Sequence, residues 1–345
     1  MKQHIKLLSN KDVVKETLRL LKDNPEWKDR YAKYAKAIKD NGNRYGSNSR
    51  KFQLNKPLYV YSSISKAKND SSTSTFDMRF AGQSVGEITV NKKGLVSLKV
   101  SNQQALYAKE NFKYDRAVGF SAEWHTQMAS KYRSLFSTQT STEDTIIHSQ
   151  EHRIENWMLA EFAKKTRKEG KLLCNIQPVR LGGKFFQLAT PLSASKHGEK
   201  PKYSSQNGGG IDILARVNHT TNRRDNRFAV IELKDENKPE ESQAMTMLQA
   251  LSYATFLACL LRSDSGNLWW NILGRSKAVP ADLIIDAVTL MPNEGDSEEG
   301  SMKEIRIDEL NVTIKPYTLY YKPGKNGNPM SFGGTLKETL ANKGQ

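Results

Sequence analysis

Three ionisable side chains are distinguished by their surroundings: Asp212 in GGGIDILARV, and Glu232 and Lys234 in RFAVIELKD. Acidic groups set among apolar residues need compensation, because burial penalises the charged form. Both runs have the length and composition of strands. If they pair antiparallel with Asp212 opposite Glu232, Val217 faces Arg227 and residues 218–226 form an all-polar connecting loop. Directly opposed residues carry Cβ atoms about 4.5–5.5 Å apart. The two-residue period puts Lys234 on the same strand face as Glu232. The three groups then converge at one end of a sheet. Two carboxylates this close repel each other unless a cation lies between them, and oxygen donors of this kind suit Mg²⁺ or Mn²⁺. A lysine two residues on can orient or polarise a water and stabilise charge developing on a phosphate. The chemistry expected is hydrolysis of a phosphodiester.

The elements that must position these groups are legible on either side. A helical pattern runs from about 143 to 168 and includes EHRIENWMLAEFAKK. Strand-like segments follow at 172–181 and 184–190, joined at Gly182-Gly183. Residues 191–210 read as a loop, and Gly208–Gly210 as a flexible approach to the site, since no Lys-Ser/Thr follows them and they lead into a strand. A second helix is expected over about 239–262, with Asn237 as N-cap and Pro239, Glu240 and Glu241 in its first turn. A strand at 282–290, the segment EIRID and a strand-rich tail complete the series. Helix, strands, helix, strand is the order of an α/β layered domain. Upstream, residues 11–40 read as helix broken at Pro25 and stopped at Asn41-Gly42. There Trp27, Tyr31, Tyr34 and Ile38 form an apolar stripe. The segment GEITVNKKGLVSLKV reads as a hairpin turning at 91–94, STFDMRF as an alternating strand, and 120–137 as helix. The polar stretch 137–145 is the expected boundary. It separates a basic α+β module, 1–140, from the domain that carries the chemistry, 141–345.

The stretch 151–256 resembles the PD-(D/E)xK nuclease superfamily, the fold of many restriction enzymes and of RecB-like exonucleases. The resemblance rests on Asp212 opening an apolar strand and Ile231-Glu232-Leu233-Lys234 closing another about 20 residues later. A helix bearing Gln and then Tyr follows, and a helix bearing Glu precedes. Ile211 stands where the family often has Pro. The resemblance implies a mixed central sheet flanked by helices, a restriction-endonuclease-like core. It implies metal ligation by Asp212, Glu232 and the Leu233 carbonyl or a neighbour's, with Lys234 acting on the attacking water. It also implies a further carboxylate from the upstream helix, Glu155 in preference to Glu151. Gln249 and Tyr253, one turn apart, would hold the ligands or the nucleic-acid backbone, with Gln243 as the alternative to Gln249.

Charge bears on the partner. The 345 residues carry 53 Lys and Arg against 37 Asp and Glu, a net +16. Residues 1–140 alone hold 26 basic and 12 acidic residues, so most of the excess lies in the first two fifths. This implies an electrostatic partner for that part, most simply nucleic acid, with DNA ahead of RNA. The reading is a Mg²⁺-dependent deoxyribonuclease, endo or exo left open, in restriction, repair or anti-phage defence. A non-catalytic nucleic-acid-binding scaffold and an RNA-cleaving effector are the alternatives. Two cysteines, Cys174 and Cys259, exclude a disulfide framework and a cysteine zinc site. His148 and His152, four residues apart, lack an evident third ligand. Trp269-Trp270 read as core packing. The stretch 245–261 reads as too short and polar for a membrane span, and no signal peptide is apparent. A cytoplasmic setting without membrane contact is expected. Oligomeric state is open, homodimer included.

Overall fold

The computed structural model describes residues 8–40, 46–63, 73–137, 150–163, 175–194, 200–205, 208–219, 226–235, 242–292, 303–323 and 329–336. The expected boundary at 137–145 falls almost wholly outside them, as do His148, Cys174, Asn237, Pro239, Glu240 and Glu241. In chain order the helices are α1 (Asn10–Asp23), α2 (Glu26–Asp40), α3 (Asn102–Phe112), α4 (Gln127–Ser137), α5 (Gln150–Phe162), α6 (Gln243–Arg262) and α7 (Gly266–Ile272). The strands are β1 (Leu58–Ser63), β2 (Ser74–Phe80), β3 (Gln83–Val90), β4 (Val96–Val100), β5 (Phe120–Glu123), β6 (Ile176–Pro178), β7 (Arg180–Leu181) and β8 (Lys184–Gln187). They continue with β9 (Leu192–Ser193), β10 (Lys202–Tyr203), β11 (Ile213–Asn218), β12 (Asn226–Leu233), β13 (Leu283–Pro292), β14 (Ile305–Ile307), β15 (Val312–Pro323) and β16 (Pro329–Gly333).

The chain is α/β, with helices and mixed sheets, and its contacts divide it into two compact units. The division does not follow a single cut near residue 140. The smaller unit comprises 33–156 and 180–187; the larger comprises 1–32, 157–179 and 188–345. Two packing facts account for this. The first helix, α1, packs against α6 of the larger unit. The hairpin β7–β8 leaves the C-terminal half of the chain to extend the sheet of the smaller unit.

In the smaller unit seven strands run β5-β4-β3-β2-β1-β8-β7, antiparallel except for the β1–β8 pair. Alternation makes the sheet one-sided: in β4, Val96, Leu98 and Val100 are buried while Lys99 is exposed. These residues join Phe76, Met78, Ile88, Ala105, Tyr132 and Phe136 in one core. Helix α3 is fixed at its start by a capping box: the Ser101 hydroxyl accepts from the Gln104 N–H and the Gln104 side chain accepts from the Ser101 N–H. The segment expected to be helix over 120–137 is helix only from Gln127; Phe120–Glu123 instead pair with β4. Backbone pairing at a sheet edge overrides the local helical pattern there.

In the larger unit seven strands form a second sheet, β14-β15-β13-β12-β11-β6, with β16 added to β15. The β12–β13 and β13–β15 pairs are parallel and the others antiparallel. A parallel pair needs a long connection, and α6 supplies it between β12 and β13. Helix α6 is apolar on all sides, and its Ser242 N-cap accepts from the Met245 N–H. By length and composition it passes as a membrane span, which the reading of 245–261 did not anticipate. With 83% of that window buried, it has the pattern of a core helix. It packs on β12 and β13 and gathers aromatic rings: Phe256 meets Trp27 at 5.6 Å and Tyr31 at 5.0 Å. Trp269 is fully buried, and its indole N–H donates to the Tyr31 carbonyl. Trp270 meets Phe228 edge-on at 5.2 Å. The Trp pair is therefore packing.

Candidate active site

The register of the β11–β12 hairpin decides whether the three groups can meet. Ile213 pairs with Ile231 and Val217 with Arg227, which is the pairing the sequence implied. Continued by one residue, it sets Asp212 against Glu232. The Asp212 carboxylate accepts a hydrogen bond from the Leu233 N–H at 2.9 Å. That bond ties Asp212 to the peptide between the other two groups. Glu232 and Lys234 are both buried, 3% and 5% exposed, although charged residues are seldom buried unless compensated.

Neighbouring strands hold this end of β12. Glu232 lies beside Thr289 and Leu233 beside Leu290 in the parallel ladder. The Lys234 N–H donates to the Leu290 carbonyl at 3.0 Å. The Lys234 carbonyl accepts from the Tyr321 hydroxyl at 3.2 Å. Tyr321 is a positioning residue that sequence reading missed; it lies on β15, 87 residues from Lys234, and no local pattern links the two. The next residue, Asp235, is also buried. The run Glu-Leu-Lys-Asp was its only signal.

Tyr253 reports the electrostatics. It is nearly buried, and its hydroxyl is pushed well above the usual phenol range, first by burial and then by the charges of Glu232 and Asp212. Both carboxylates therefore act on one phenol from α6. Gln249, one turn earlier, donates from Nε2 to the Ala194 carbonyl at 3.0 Å. Gln243, the alternative, accepts from the Tyr320 hydroxyl at 2.6 Å. Gly208–Gly210 are packed backbone, not a flexible approach. Gly208 N–H donates to the Thr190 carbonyl, Gly209 N–H to the Leu192 carbonyl, and Gly210 bridges to Ala189. A Cβ on Gly209 would run into the Tyr253 hydroxyl. Gly209→Ala is accordingly expected to destabilise the larger unit by about 1–3 kcal/mol, read as a fall of several degrees in a thermal melt.

No protein-family model matches the chain, and neither a curated protein nor a solved structure matches it.

The structure thus bonds the Asp212 carboxylate to the Leu233 N–H, between Glu232 and Lys234 in the chain, and sets Tyr253 within reach of the charges of Glu232 and Asp212; Gln249 lies one turn from Tyr253 on the same helix. Glu155 belongs to the smaller unit. It is buried there with Oε2 3.4 Å from Nδ1 of His152. His152 thus pairs with Glu155 at i,i+3. Glu151 is half-buried on the same helix. Among the described residues, no group of three His, Cys, Asp or Glu side chains is arranged to hold a metal. Two carboxylates still match one chemistry. Mg²⁺ is commonly held by one or two carboxylates, with waters and substrate phosphate oxygens completing its shell. The negative potential that Asp212 and Glu232 impose on Tyr253 is the sign a cation would seek.

Proposed function

We propose that the chain is a metal-dependent phosphodiesterase acting on nucleic acid, DNA ahead of RNA, built on a restriction-endonuclease-like core of the PD-(D/E)xK kind. One observation carries the reading: the Asp212 carboxylate is bonded to the Leu233 N–H, between a buried Glu232 and a buried Lys234. The mixed sheet with α6 packed on β12 and β13 supports it. So does the basic excess of the smaller unit, where 21 Lys and Arg face 11 Asp and Glu.

Asp212 and Glu232, with the Leu233 carbonyl, are the residues that would hold Mg²⁺ or Mn²⁺. Such an ion supplies Lewis-acid stabilisation of charge on the phosphate oxygens and lowers the pKa of a bound water. Lys234, its backbone held by bonds to β13 and Tyr321, would orient the attacking water with its ammonium and offset negative charge on the phosphate oxygens. Tyr253 and Gln249 keep α6 and the 194 backbone in place beside the carboxylates. The phenol stays protonated at neutral pH and so can donate.

The test is digestion of supercoiled plasmid, linear duplex and single-stranded RNA in parallel, with Mg²⁺, Mn²⁺ or EDTA. Cleavage of DNA that needs the ion is expected. Preferential loss of RNA would move the substrate, and no cleavage of any of them with either ion would remove the enzyme reading.

A further inference from the structure

In the smaller unit, β8 joins β1 only from Tyr61 onward. Before that point residues 58–60 are not paired with β8. A cavity of about 240 Å³ opens between them. Lys56, Arg180 and Lys184 line it, and no acidic residue does. None of the three makes an ion pair among the described residues. Arg180 lies over the Phe185 ring at 5.1 Å, and Lys184 over Phe52 at 5.2 Å. Lys184 is half-buried, and its ammonium is held below the usual lysine range by burial and by the like charge of Arg180. Three cations gathered without an acidic partner among the described residues present the charge that an anion would meet. Leu54, Leu58, Tyr59, Val60 and Phe185 line the rest of the cavity with apolar surface. Tyr59 is half-buried, its ring 6.2 Å from Phe185, and Leu58 lies beside it.

We infer that this cavity binds a single strand of DNA, with a phosphate among Lys56, Arg180 and Lys184 and an adjoining base stacked on Tyr59. Phosphate contacts supply affinity, and an aromatic face takes any base whose stack is open. A base inside a duplex cannot reach a ring set into a cavity, so the geometry favours a strand over a helix. The inference rests on the reading of the chain as one that acts on nucleic acid. It adds a place in the smaller unit at which the strand is gripped.

The test is binding of fluorescein-labelled oligo-dT to the full chain by anisotropy in EDTA, across a salt series. Without divalent metal nothing is cut, so failure of this site and failure of the nuclease reading are seen separately. Lys56→Ala with Arg180→Ala is expected to weaken binding tenfold or more and to lower the salt slope by about 1.4, two contacts at about 0.7 each. Tyr59→Ala is expected to weaken it about tenfold, with Tyr59→Phe close to wild type. Lys92→Ala with Lys93→Ala, which removes two exposed cations from the β3–β4 turn of the same unit, is the control and should change little. The inference is overturned if the pocket variants bind as wild type, or if the control loses as much as they do. It is also overturned if duplex of the same sequence binds more tightly through the same residues, or if inorganic phosphate or dTMP displaces the oligonucleotide as well as unlabelled strand does. Melts of each variant guard against unfolding, and Tyr59→Phe keeps the stacking arm readable should Tyr59→Ala unfold.

Discussion

Lys234→Ala is expected to lower metal-dependent DNA cleavage roughly 10²–10³-fold, with oligonucleotide binding in EDTA close to wild type. The split follows from where Lys234 sits. Its backbone is fixed on both sides, by the Leu290 carbonyl and the Tyr321 hydroxyl, so truncation removes the ammonium without releasing the strand end. Under the proposed mechanism the carboxylates of Asp212 and Glu232 remain to hold the cation, and what is lost is the charge that readies the water. Parallel single-turnover cleavage and anisotropy separate the two effects. Equal loss of both, together with a lower melting temperature, would assign Lys234 a structural part only.

The second large effect lies elsewhere in the larger unit and concerns stability. Asp286 on β13 is fully buried. Its carboxylate lies 2.6 Å from Nε2 of the equally buried His219 and 3.6 Å from the Arg227 guanidinium. An ionised carboxylate only accepts, so His219 donates from Nε2. Asp286→Ala would leave the buried His219 and the half-buried Arg227 without the carboxylate they share. Breaking a buried pair in this way typically costs about 3–5 kcal/mol, a large part of a domain's whole stability. Urea titration is expected to show the midpoint falling by that free energy divided by the slope, with the slope itself unchanged. A shift below about 1 kcal/mol would mean that the cluster is offset by its own desolvation. Asp286→Asn keeps an acceptor for His219 and should cost less.

The acidic hairpin was legible because its information is local. Two apolar runs, a polar loop between them and the two-residue period fix the register of β11 against β12, and with it the approach of Asp212 to the Leu233 N–H. Helix α6 was legible for the same reason, as an apolar run of helical length. What escaped depends on contacts distant in sequence. Nothing in Lys184–Gln187 tells that this segment crosses to the other sheet and runs parallel to β1, more than 120 residues earlier. His219 and Asp286 are 67 residues apart, one at a strand's end and the other mid-strand, and each alone reads as an ordinary polar residue. Phe120–Glu123 were drawn into the helical reading because the pattern of α4 continues backward through them, whereas their partner is the edge of β4. The glycines at 208–210 suggested freedom by composition; their close approach to Leu192 and Tyr253 is visible only once α6 is in place.

The most direct test of the central claim is isothermal titration of Mn²⁺ into the full chain in the presence of a non-cleavable DNA analogue. The wild-type protein is expected to take up the ion, and the Asp212→Asn, Glu232→Gln double variant to show only the heat of dilution while still melting cooperatively. An unchanged titration in that folded variant would mean that the ion is held by other groups, and the acidic pair at the end of the hairpin would then not be the centre of the chemistry.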